Sequence, residues 1–302
     1  MERVQVLMST YNGEKYLVNQ IDSILNQKDV DVRLLIRDDG SQDRTVDILK
    51  DYSEKYDNIC WYQGKNVGSQ KSFFDLLANA SLECRYFAFS DQDDYWLPEK
   101  LARSVEMIRN LEKKKPEQPI LYGSKVIYAS ENLEMQEKFE YENKRPPGFG
   151  NALVENIFMG CTEVFNFLLL ELVRMHRPKH NIWHDWWLYL SAACFGEVIY
   201  DNAAFILYRQ HDNNQVGMKN SWSGRWKNRM KNFKKLKGSI SKQAYEFIEA
   251  YGNKYELYEQ VRLVAESSTK KNRLKLAISK QIYRQHAVDD VVYRFLFLLG
   301  IL

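Results

Sequence analysis

The sequence predicts an α/β protein whose sheet is mostly parallel and carries helices on both faces. Short apolar runs, each of a length suited to a buried strand, alternate with segments in which apolar residues recur at helical spacing. This alternation is the signature of strands joined by helical crossovers. A chain of 302 residues that is 45% apolar has room for a sizeable core in one large domain or two modest ones.

The first four strands are predicted at apolar runs in residues 4–8, 32–36, 59–62 and 86–89. Between them, apolar residues at spacings of three and four predict helices that begin near Leu17, after Asp43 and at Ser72. A further helix is predicted after Pro98, because proline is favourable in a first helical turn. Later patterns predict strands at 120–123, 126–128, 198–200 and 204–208, and an apolar helix at 188–195.

Three carboxylates fall within four residues directly after the fourth predicted strand. They are Asp91, Asp93 and Asp94. In an open α/β sheet, ligands bind beyond the carboxyl ends of the strands, so the cluster lies where such folds place their chemistry. Neighbouring carboxylates repel each other, and a hard divalent cation relieves that repulsion while a diphosphate completes its shell. For an isolated Asp-x-Asp, the alternative is a solvated acidic turn.

The cysteines and the apolar runs exclude several protein classes. The four cysteines are far apart and form no Cys-x-x-Cys pair, so we expect neither a zinc site nor a disulfide framework, and a reducing cytosol fits. The chain begins with a strand pattern rather than a signal peptide. It has no run of about 18 apolar residues, so no transmembrane helix is expected.

Charge is distributed unevenly along the chain. Residues 219–302 hold 18 of the 43 Lys and Arg residues but 7 of the 40 Asp and Glu residues. Such a basic tail predicts an anionic partner, either membrane lipid or nucleic acid. Within it, residues 222–237 combine an apolar stripe with intervening cations, a pattern typical of a helix lying in a membrane interface. The alternative is that this stripe packs on the catalytic domain. The apolar run at 291–302 is too short to span a bilayer but suits interfacial insertion or packing in a dimer.

Five motifs in one order resemble the family 2 glycosyltransferases, which have the GT-A fold. The motifs are Ser9-Thr10-Tyr11-Asn12-Gly13, Asp38-Asp39-Gly40-Ser41, Ser90-Asp91-Gln92-Asp93-Asp94, His184-Asp185-Trp186-Trp187 and Arg209-Gln210-His211. More narrowly, they resemble the bacterial rhamnosyltransferases of cell-wall and capsular rhamnan synthesis, of the streptococcal type. The common family motif Gln-x-x-Arg-Trp is absent, and the last of the five motifs stands in its place. The resemblance covers residues 1–218 and implies a GT-A catalytic domain there. Residues 219–302 match the family only loosely, and their charge and apolar spacing predict a basic, amphipathic helical region.

The resemblance also implies which residues bind the nucleotide-sugar donor. Thr10 and Tyr11 follow the first strand and are expected to contact the nucleobase and ribose. Asp39, with Asp38 beside it, is implied to accept a hydrogen bond from the N3–H of a pyrimidine, which lies between two acceptors. Two further residues are assigned to donor binding. Asp91 is expected near the ribose or the donor sugar, and Arg209 is expected to contact the donor as well.

A divalent cation, Mn²⁺ or Mg²⁺, is implied by the same resemblance. Its expected ligands are Asp93 and, from the C-terminal side, His211. A single loop histidine without that context is more often not a ligand. Asp94 is then left as a cap of the following helix. The ion would stabilise the leaving nucleoside diphosphate.

Asp185 is the candidate general base on the acceptor side. The reaction needs a carboxylate that takes the proton from an acceptor hydroxyl as the hydroxyl attacks the anomeric carbon. The neighbours Trp183, Trp186 and Trp187 are expected to desolvate this carboxylate, which makes it a stronger base, and to offer sugars a stacking face. The alternative is that Asp185 caps the helix that begins at Trp186. Two further residues are placed on the acceptor side, His184 as a neighbour and Thr162 as a ligand of a phosphate or sugar hydroxyl.

Together these features predict an inverting, metal-dependent glycosyltransferase. The expected reaction transfers L-rhamnose from dTDP-β-L-rhamnose to a lipid-linked glycan. The enzyme is expected to be a peripheral protein at the inner face of the bacterial membrane, and a homodimer is compatible with the pattern. A UDP-hexose or UDP-N-acetylhexosamine donor is the alternative within the family. A nucleotidyltransferase is the rival enzyme class, but its usual Gly-rich basic loop is not found at residues 9–13. A nucleic-acid-binding module is disfavoured because the acidic motifs are intact.

Overall fold

The computed structural model describes residues 1–136, 142–180, 183–211 and 238–301. The chain divides into two compact units. The sheet unit consists of Met1–Phe139, Phe158–Met175 and Phe195–His211, and the helical unit consists of Glu140–Ile157, His176–Cys194 and Asp212–Leu302. The predicted boundary between residues 218 and 219 and the predicted amphipathic helix at 222–237 lie outside the described residues.

One sheet runs through the described part of the sheet unit. Its strands are β1 (Glu2–Thr10), β2 (Val30–Asp38), β3 (Ile59–Gln63), β4 (Tyr86–Ser90), β5 (Tyr95–Trp96), β6 (Ile120–Ala129), β7 (Val164–Asn166) and β8 (Glu197–Arg209). Their order is β3-β2-β1-β4-β7-β6-β8-β5. The pairs β1–β2, β1–β4, β2–β3 and β6–β8 are parallel, while β7 runs antiparallel to β4 and β6, and β5 to β8. The predicted α/β class with a mostly parallel sheet is confirmed.

The helices that connect the strands lie on both faces of the sheet. The described helices are α1 (Leu17–Leu25), α2 (Thr45–Lys55), α3 (Ser69–Asn79), α4 (Lys100–Glu112), α5 (Phe149–Ala152), α6 (Phe167–Arg174), α7 (His184–Phe195), α8 (Ser239–Tyr251), α9 (Tyr258–Ala265), α10 (Lys270–Ile278) and α11 (Ala287–Leu298). Crossovers between parallel strands are right-handed, and the strand order reverses after β3, so α1 and α2 cover one face of the sheet and α3 the other. Contacts agree, since α1 contacts α2 whereas α3 contacts α6. The reversal creates a topological switch point between β1 and β4, where open α/β sheets bind ligands.

The core of the sheet unit lies on both faces of β1. Val4, Val6 and Met8 belong to the cluster that includes Ile21 of α1. Leu7, which points to the opposite face because side chains alternate along a strand, is also fully buried. A strand buried on both faces needs a near-continuous apolar run, which is the pattern found at residues 4–8.

Two pairs of predicted strands are in fact single long strands. The patterns at 120–123 and 126–128 both belong to β6, and those at 198–200 and 204–208 both belong to β8. β6 and β8 pair in parallel, with register shifts on either side of Lys125. An irregularity of this kind interrupts the alternation of side chains, which explains why each strand was divided in the prediction.

The helical unit is tied together by a buried polar network around Glu155. The Glu155 carboxylate accepts hydrogen bonds from Arg284 Nη2 at 2.9 Å and from the backbone N–H of Gln285 at 2.7 Å. Gly150 also lies close to the C-terminal segment, because a Cβ at this position would be 1.7 Å from the carbonyl oxygen of Gln281. The C-terminal residues that make these contacts are therefore an integral part of this unit.

Candidate active site

The carboxyl ends of β1, β2 and β4 bring three of the predicted motifs to one edge of the sheet. Thr10 is paired in register with Asp38, and its hydroxyl donates to Asp38 Oδ1 at 3.1 Å. The loops after β1 and β4 are joined by two hydrogen bonds between the Gln92 side chain and the backbone of Tyr11, at 2.8 and 3.0 Å. Tyr11 is exposed, so its ring is available to a ligand at this edge.

The Asp38 carboxylate is fully buried and shapes the turn after β2. It accepts hydrogen bonds from the backbone N–H groups of Gly40 and Ser41, at 3.2 and 3.0 Å, and from Gln63 Nε2 at 3.0 Å. Gly40 has a φ of +83°, a conformation that glycine adopts without strain. Asp38 thus positions its neighbour, while its own oxygens are occupied within the protein.

Asp39 is also buried, and its carboxylate fixes the start of α3. It accepts from the backbone N–H groups of Val67 and Gly68, at 2.9 and 2.8 Å, and pairs with Arg37 Nη1 at 2.5 Å. A carboxylate has about four lone-pair sites, so these three bonds leave one acceptor position on Oδ2. The contact with a pyrimidine therefore stays a prediction.

The two predicted metal ligands lie side by side although they are far apart in the sequence. His211 Nε2 is 2.8 Å from Asp93 Oδ2. Mn²⁺ and Mg²⁺ form bonds of about 2.1 Å in octahedral geometry, which places neighbouring ligands about 3 Å apart. A carboxylate oxygen and an imidazole nitrogen are both suitable donors for Mn²⁺. In the structure the two side chains are joined by a hydrogen bond at this distance, and the spacing of the two atoms also fits two ligands of one divalent cation.

Tyr16 and Arg209 hold this pair in place. The Tyr16 ring stacks on the His211 ring, with 5.1 Å between centroids, and the Arg209 Cζ atom lies 4.6 Å from the Tyr16 centroid. Arg209 Nε donates to the Asp93 carbonyl at 2.7 Å, and the Arg209 backbone N–H donates to Asp94 Oδ1 at 3.2 Å. The buried Arg209 thus anchors the acidic loop. Tyr16 was missed by the sequence analysis, because no pattern relates it to the C-terminal motif.

A second group of possible metal ligands lies behind the first. Ligand atoms of Asp91, Asp94 and Cys161 are all within 4.8 Å of one another. Burial, and next the charges of Asp93 and Asp91, raise the pKa of the Asp94 carboxyl well above its usual value, and burial likewise raises the pKa of the Cys161 thiol. Asp94 does not cap α4, since that helix begins at residue 100. The expectation of a cap is therefore wrong.

Lys100 is a buried cationic residue that the sequence analysis also missed. Its Nζ lies 3.5 Å from the centroid of the Trp96 ring, and the side chain is fully enclosed. Burial lowers the pKa of Lys100 to about 7. The only sequence signal is its position in the first turn of the helix that follows the acidic motif.

Asp185 lies in the first turn of α7, in the helical unit. Its Oδ1 accepts from the backbone N–H of the next residue, Trp186, at 2.7 Å. The helix begins at His184 rather than at Trp186, so Asp185 lies inside the first turn and is not the residue that caps it. His184 is buried, and burial lowers its pKa to about 3, which keeps the imidazole neutral at physiological pH.

The expectation that Trp186 and Trp187 offer sugars a stacking face is not met. Both rings are buried. Trp186 Nε1 donates to the carbonyl of Ala152 at 2.6 Å, and Trp187 stacks on Tyr251 with 6.1 Å between centroids. These indoles pack in the interior of the helical unit, whereas Trp183 is exposed.

Thr162 is likewise turned inward, in the sheet unit. Its hydroxyl donates to the carbonyl of Met159 at 2.8 Å and closes the short turn Gly160–Thr162. The side chain is fully buried. In this structure the hydroxyl stabilises the turn. To donate to a phosphate it would have to give up this bond, whereas its acceptor positions are enclosed with the side chain, so its predicted role as a ligand stays a prediction.

Comparison with known proteins identifies the family of this chain. The Glycosyl transferase family 2 model matches residues 5–152. The dTDP-rhamnosyl transferase RfbG of Shigella flexneri is 33% identical over 235 residues, which cover 73% of this chain and 77% of that protein.

Solved glycosyltransferases share the fold. The crystal structure of S. aureus TarS 1-349 in complex with UDP-GlcNAc aligns with a TM-score of 0.61 at 15% identity, covering 100% of this chain and 82% of that one. The mannosyltransferase PcManGT from Pyrobaculum calidifontis, in complex with GDP-Man and Mn²⁺, aligns with a TM-score of 0.53 at 15% identity, covering 99% and 85%. The chain belongs to glycosyltransferase family 2 and has the GT-A fold.

Proposed function

We propose that this glycosyltransferase is an inverting, metal-dependent rhamnosyltransferase of bacterial cell-wall or capsular polysaccharide synthesis. Its donor would be dTDP-β-L-rhamnose. The observation that carries the metal dependence is the 2.8 Å approach of His211 Nε2 to Asp93 Oδ2 at the carboxyl edge of the sheet. The choice of sugar is supported by the similarity to RfbG, which is named a dTDP-rhamnosyl transferase.

The donor side of the mechanism uses residues at the ends of β1, β2 and β4. The exposed Tyr11 ring would contact the nucleobase or ribose, and the remaining acceptor position of Asp39 would receive the pyrimidine N3–H. Asp93 and His211 would hold Mn²⁺ or Mg²⁺, which stabilises the charge of the leaving diphosphate when it is bound. Arg209, fixed against the acidic loop, would keep both ligands in position.

The chemical step is a single displacement. The acceptor hydroxyl oxygen would form a bond to the anomeric carbon as the bond from that carbon to the diphosphate oxygen breaks, and the diphosphate would leave with the electron pair. Asp185 would take the hydroxyl proton. Attack from the opposite side converts the β-linked donor into an α-L-rhamnosyl product.

The acceptor is proposed to be a glycan carried on a lipid diphosphate, so the enzyme would work as a peripheral protein at the inner face of the membrane. The cationic C-terminal region supports this, with 18 Lys and Arg against 7 Asp and Glu from residue 219 onward. A UDP-hexose or UDP-N-acetylhexosamine donor is the second candidate, favoured by the UDP-GlcNAc bound to the TarS structure with the same fold.

Nucleotide selectivity tests the proposal. In the presence of Mn²⁺, dTDP should raise the midpoint of thermal unfolding more than GDP or ADP does, because ligand binding to the folded state stabilises it. Equal shifts for all four nucleotides, UDP included, would refute pyrimidine recognition. A roughly tenfold higher affinity for UDP than for dTDP, about 1.4 kcal/mol, would favour the second candidate over rhamnose.

A further inference from the structure

Helix α11 presents an apolar face to the surface. Val291 is 67% exposed and Phe295 is 60% exposed, and Val288 and Leu298 are exposed beside them. With about 3.6 residues per turn, these four side chains lie within an arc of about 80°. Every exposed residue of α11, a helix that the structure describes in full, is apolar. A surface helix of a globular protein normally shows the opposite distribution.

The charged residues of α11 point inward and fix this orientation. Asp289 and Asp290 are buried. Arg294 donates to Asp290 Oδ2 at 3.0 Å and to the carbonyl oxygens of Ala277 and Ser279, at 2.9 and 2.6 Å. Rotating the helix to bury its apolar face would break these bonds and leave buried polar groups without partners. The exposed apolar face is therefore a stable feature of the fold.

Helix α10 packs against α11 and extends the same kind of surface. Leu274 and Ile278 of α10 are exposed. Residues 270–301 contain seven Lys and Arg residues and two acidic residues, the buried Asp289 and Asp290. Four of these cations are exposed lysines, at Lys270, Lys271, Lys275 and Lys280. The α10–α11 surface thus combines exposed apolar side chains with an excess of positive charge.

We propose that the α10–α11 surface docks this protein on an anionic lipid bilayer, with α11 lying in the interface. Apolar side chains that enter the headgroup region and lysines that face anionic lipid are the two features such binding requires. A second copy of this chain would bring another excess of positive charge against the first, which opposes association. The inference rests on the proposed function in that a lipid-linked acceptor gives the docking its purpose.

The geometry favours docking over spanning. A helix of 12 residues such as α11 is about 18 Å long, against a hydrocarbon core of about 30 Å. Within the described ranges, no helix has the length and apolar character needed to cross a membrane.

The test is co-sedimentation of the full-length chain with phosphatidylcholine vesicles, with and without about a third phosphatidylglycerol. The wild-type chain should sediment with anionic vesicles at low salt and less at high salt. Replacing Val291 and Phe295 together with Glu should weaken binding by roughly tenfold or more, because charged groups are unfavourable in the apolar layer. Lys271→Glu with Lys275→Glu should also weaken it by roughly tenfold and reduce the salt dependence.

Leu82→Glu is the matched control. The exposed fraction of Leu82, 59%, is similar to that of Phe295, 60%. Leu82 lies in the sheet unit and not on the α10–α11 surface, so this variant should bind vesicles like the wild type. The proposal is overturned if the wild type ignores anionic vesicles, or if the Val291/Phe295 variant binds them equally well. It is also overturned if light scattering shows a wild-type dimer that this variant dissociates.

Nucleotide binding separates this inference from the proposed function. The Val291/Phe295 variant should keep the thermal stabilisation by dTDP and Mn²⁺, because the substitutions are remote in sequence from every proposed donor or metal ligand and are confined to the surface. If dTDP stabilises neither the wild type nor the variant, the proposed donor is refuted, whereas the vesicle result still decides the docking surface.

Discussion

Asp93→Asn is the most informative change to the candidate active site. It keeps the size of the side chain but replaces the carboxylate whose Oδ2 lies 2.8 Å from His211 Nε2. Arg209 holds the loop through the Asp93 backbone carbonyl rather than through the carboxylate, so the loop should keep its conformation. We therefore expect a folded protein with one of its two proposed metal ligands weakened.

The magnitude follows from ligand linkage. Substitutions that only support a metal ligand cost about 10–100-fold in metal affinity, so changing the ligand itself should cost about 100-fold. Because dTDP is proposed to bind through the metal, the affinity for dTDP at a fixed, non-saturating Mn²⁺ concentration should fall by the same factor, about 100-fold. At a dTDP concentration of about 100 times Kd with Mn²⁺ present, the wild type gains about 2.7 kcal/mol, whereas the variant gains about 0.4 kcal/mol at the same concentration. For a unit of this size, the midpoint shift should fall from roughly 5–10 °C to about 1 °C.

The assay is thermal unfolding with dTDP, measured with Mn²⁺ and with a chelator. Asp31→Asn is the control, because Asp31 is a partly exposed carboxylate near the amino end of β2, at the opposite edge of the sheet. Its dTDP shift should match that of the wild type. If Asp93→Asn keeps the full Mn²⁺-dependent shift, then Asp93 is not a metal ligand, and the group at Asp91, Asp94 and Cys161 becomes the candidate.

Three further changes test other parts of the structure. Asp185→Asn should lower turnover by roughly 10²–10⁴-fold with dTDP binding intact, because it removes the proposed proton acceptor; donor consumption in the presence of acceptor measures this. Lys100→Met should be more stable than the wild type near pH 7, and the difference should shrink as pH rises toward 10. Burial lowers the pKa of Lys100 to about 7, so between about pH 7 and 10 the folded state binds fewer protons than the unfolded state. The stability of the wild type therefore rises with pH over this range. Urea unfolding at several pH values measures the stability difference between the two proteins. Glu155→Gln should lower the free energy of unfolding by about 3 kcal/mol, because it leaves the Arg284 guanidinium, whose side chain is only 17% exposed, without its buried partner charge. Glu259→Gln, at an exposed ion pair, should change it little.

Each of these outcomes has a clear opposite. Near-normal turnover of Asp185→Asn would transfer the general-base role to another residue. A stability difference for Lys100→Met that does not vary with pH would mean that the buried amine stays charged. Equal effects of the Glu155 and Glu259 substitutions would show that the network around Glu155 contributes no more than a surface ion pair.

Local sequence patterns were sufficient for the elements around the proposed donor site. The apolar runs of β1, β2 and β4 predict buried strands, and the motifs directly after them had to meet at one edge because parallel strands share a direction. The pairing of Asp93 with His211 was expected from resemblance to a family, and the structure brings the two side chains together. No periodicity in the sequence connects them, since they are 118 positions apart.

The sequence by itself determined the α/β class, the succession of the first strands along the chain and the loops that carry the acidic residues, because these depend on short-range apolar patterns and on motif order. Tertiary structure alone decided which faces are buried. Trp186 and Trp187 became core residues, Lys100 was enclosed beside Trp96, and α11 turned its charges inward and its apolar side chains outward. An amphipathic pattern normally places the apolar side of a helix against the protein. In α11 the contacts of Asp290 and Arg294 with residues outside the helix reverse that orientation, and such contacts between distant residues are not visible in the local pattern.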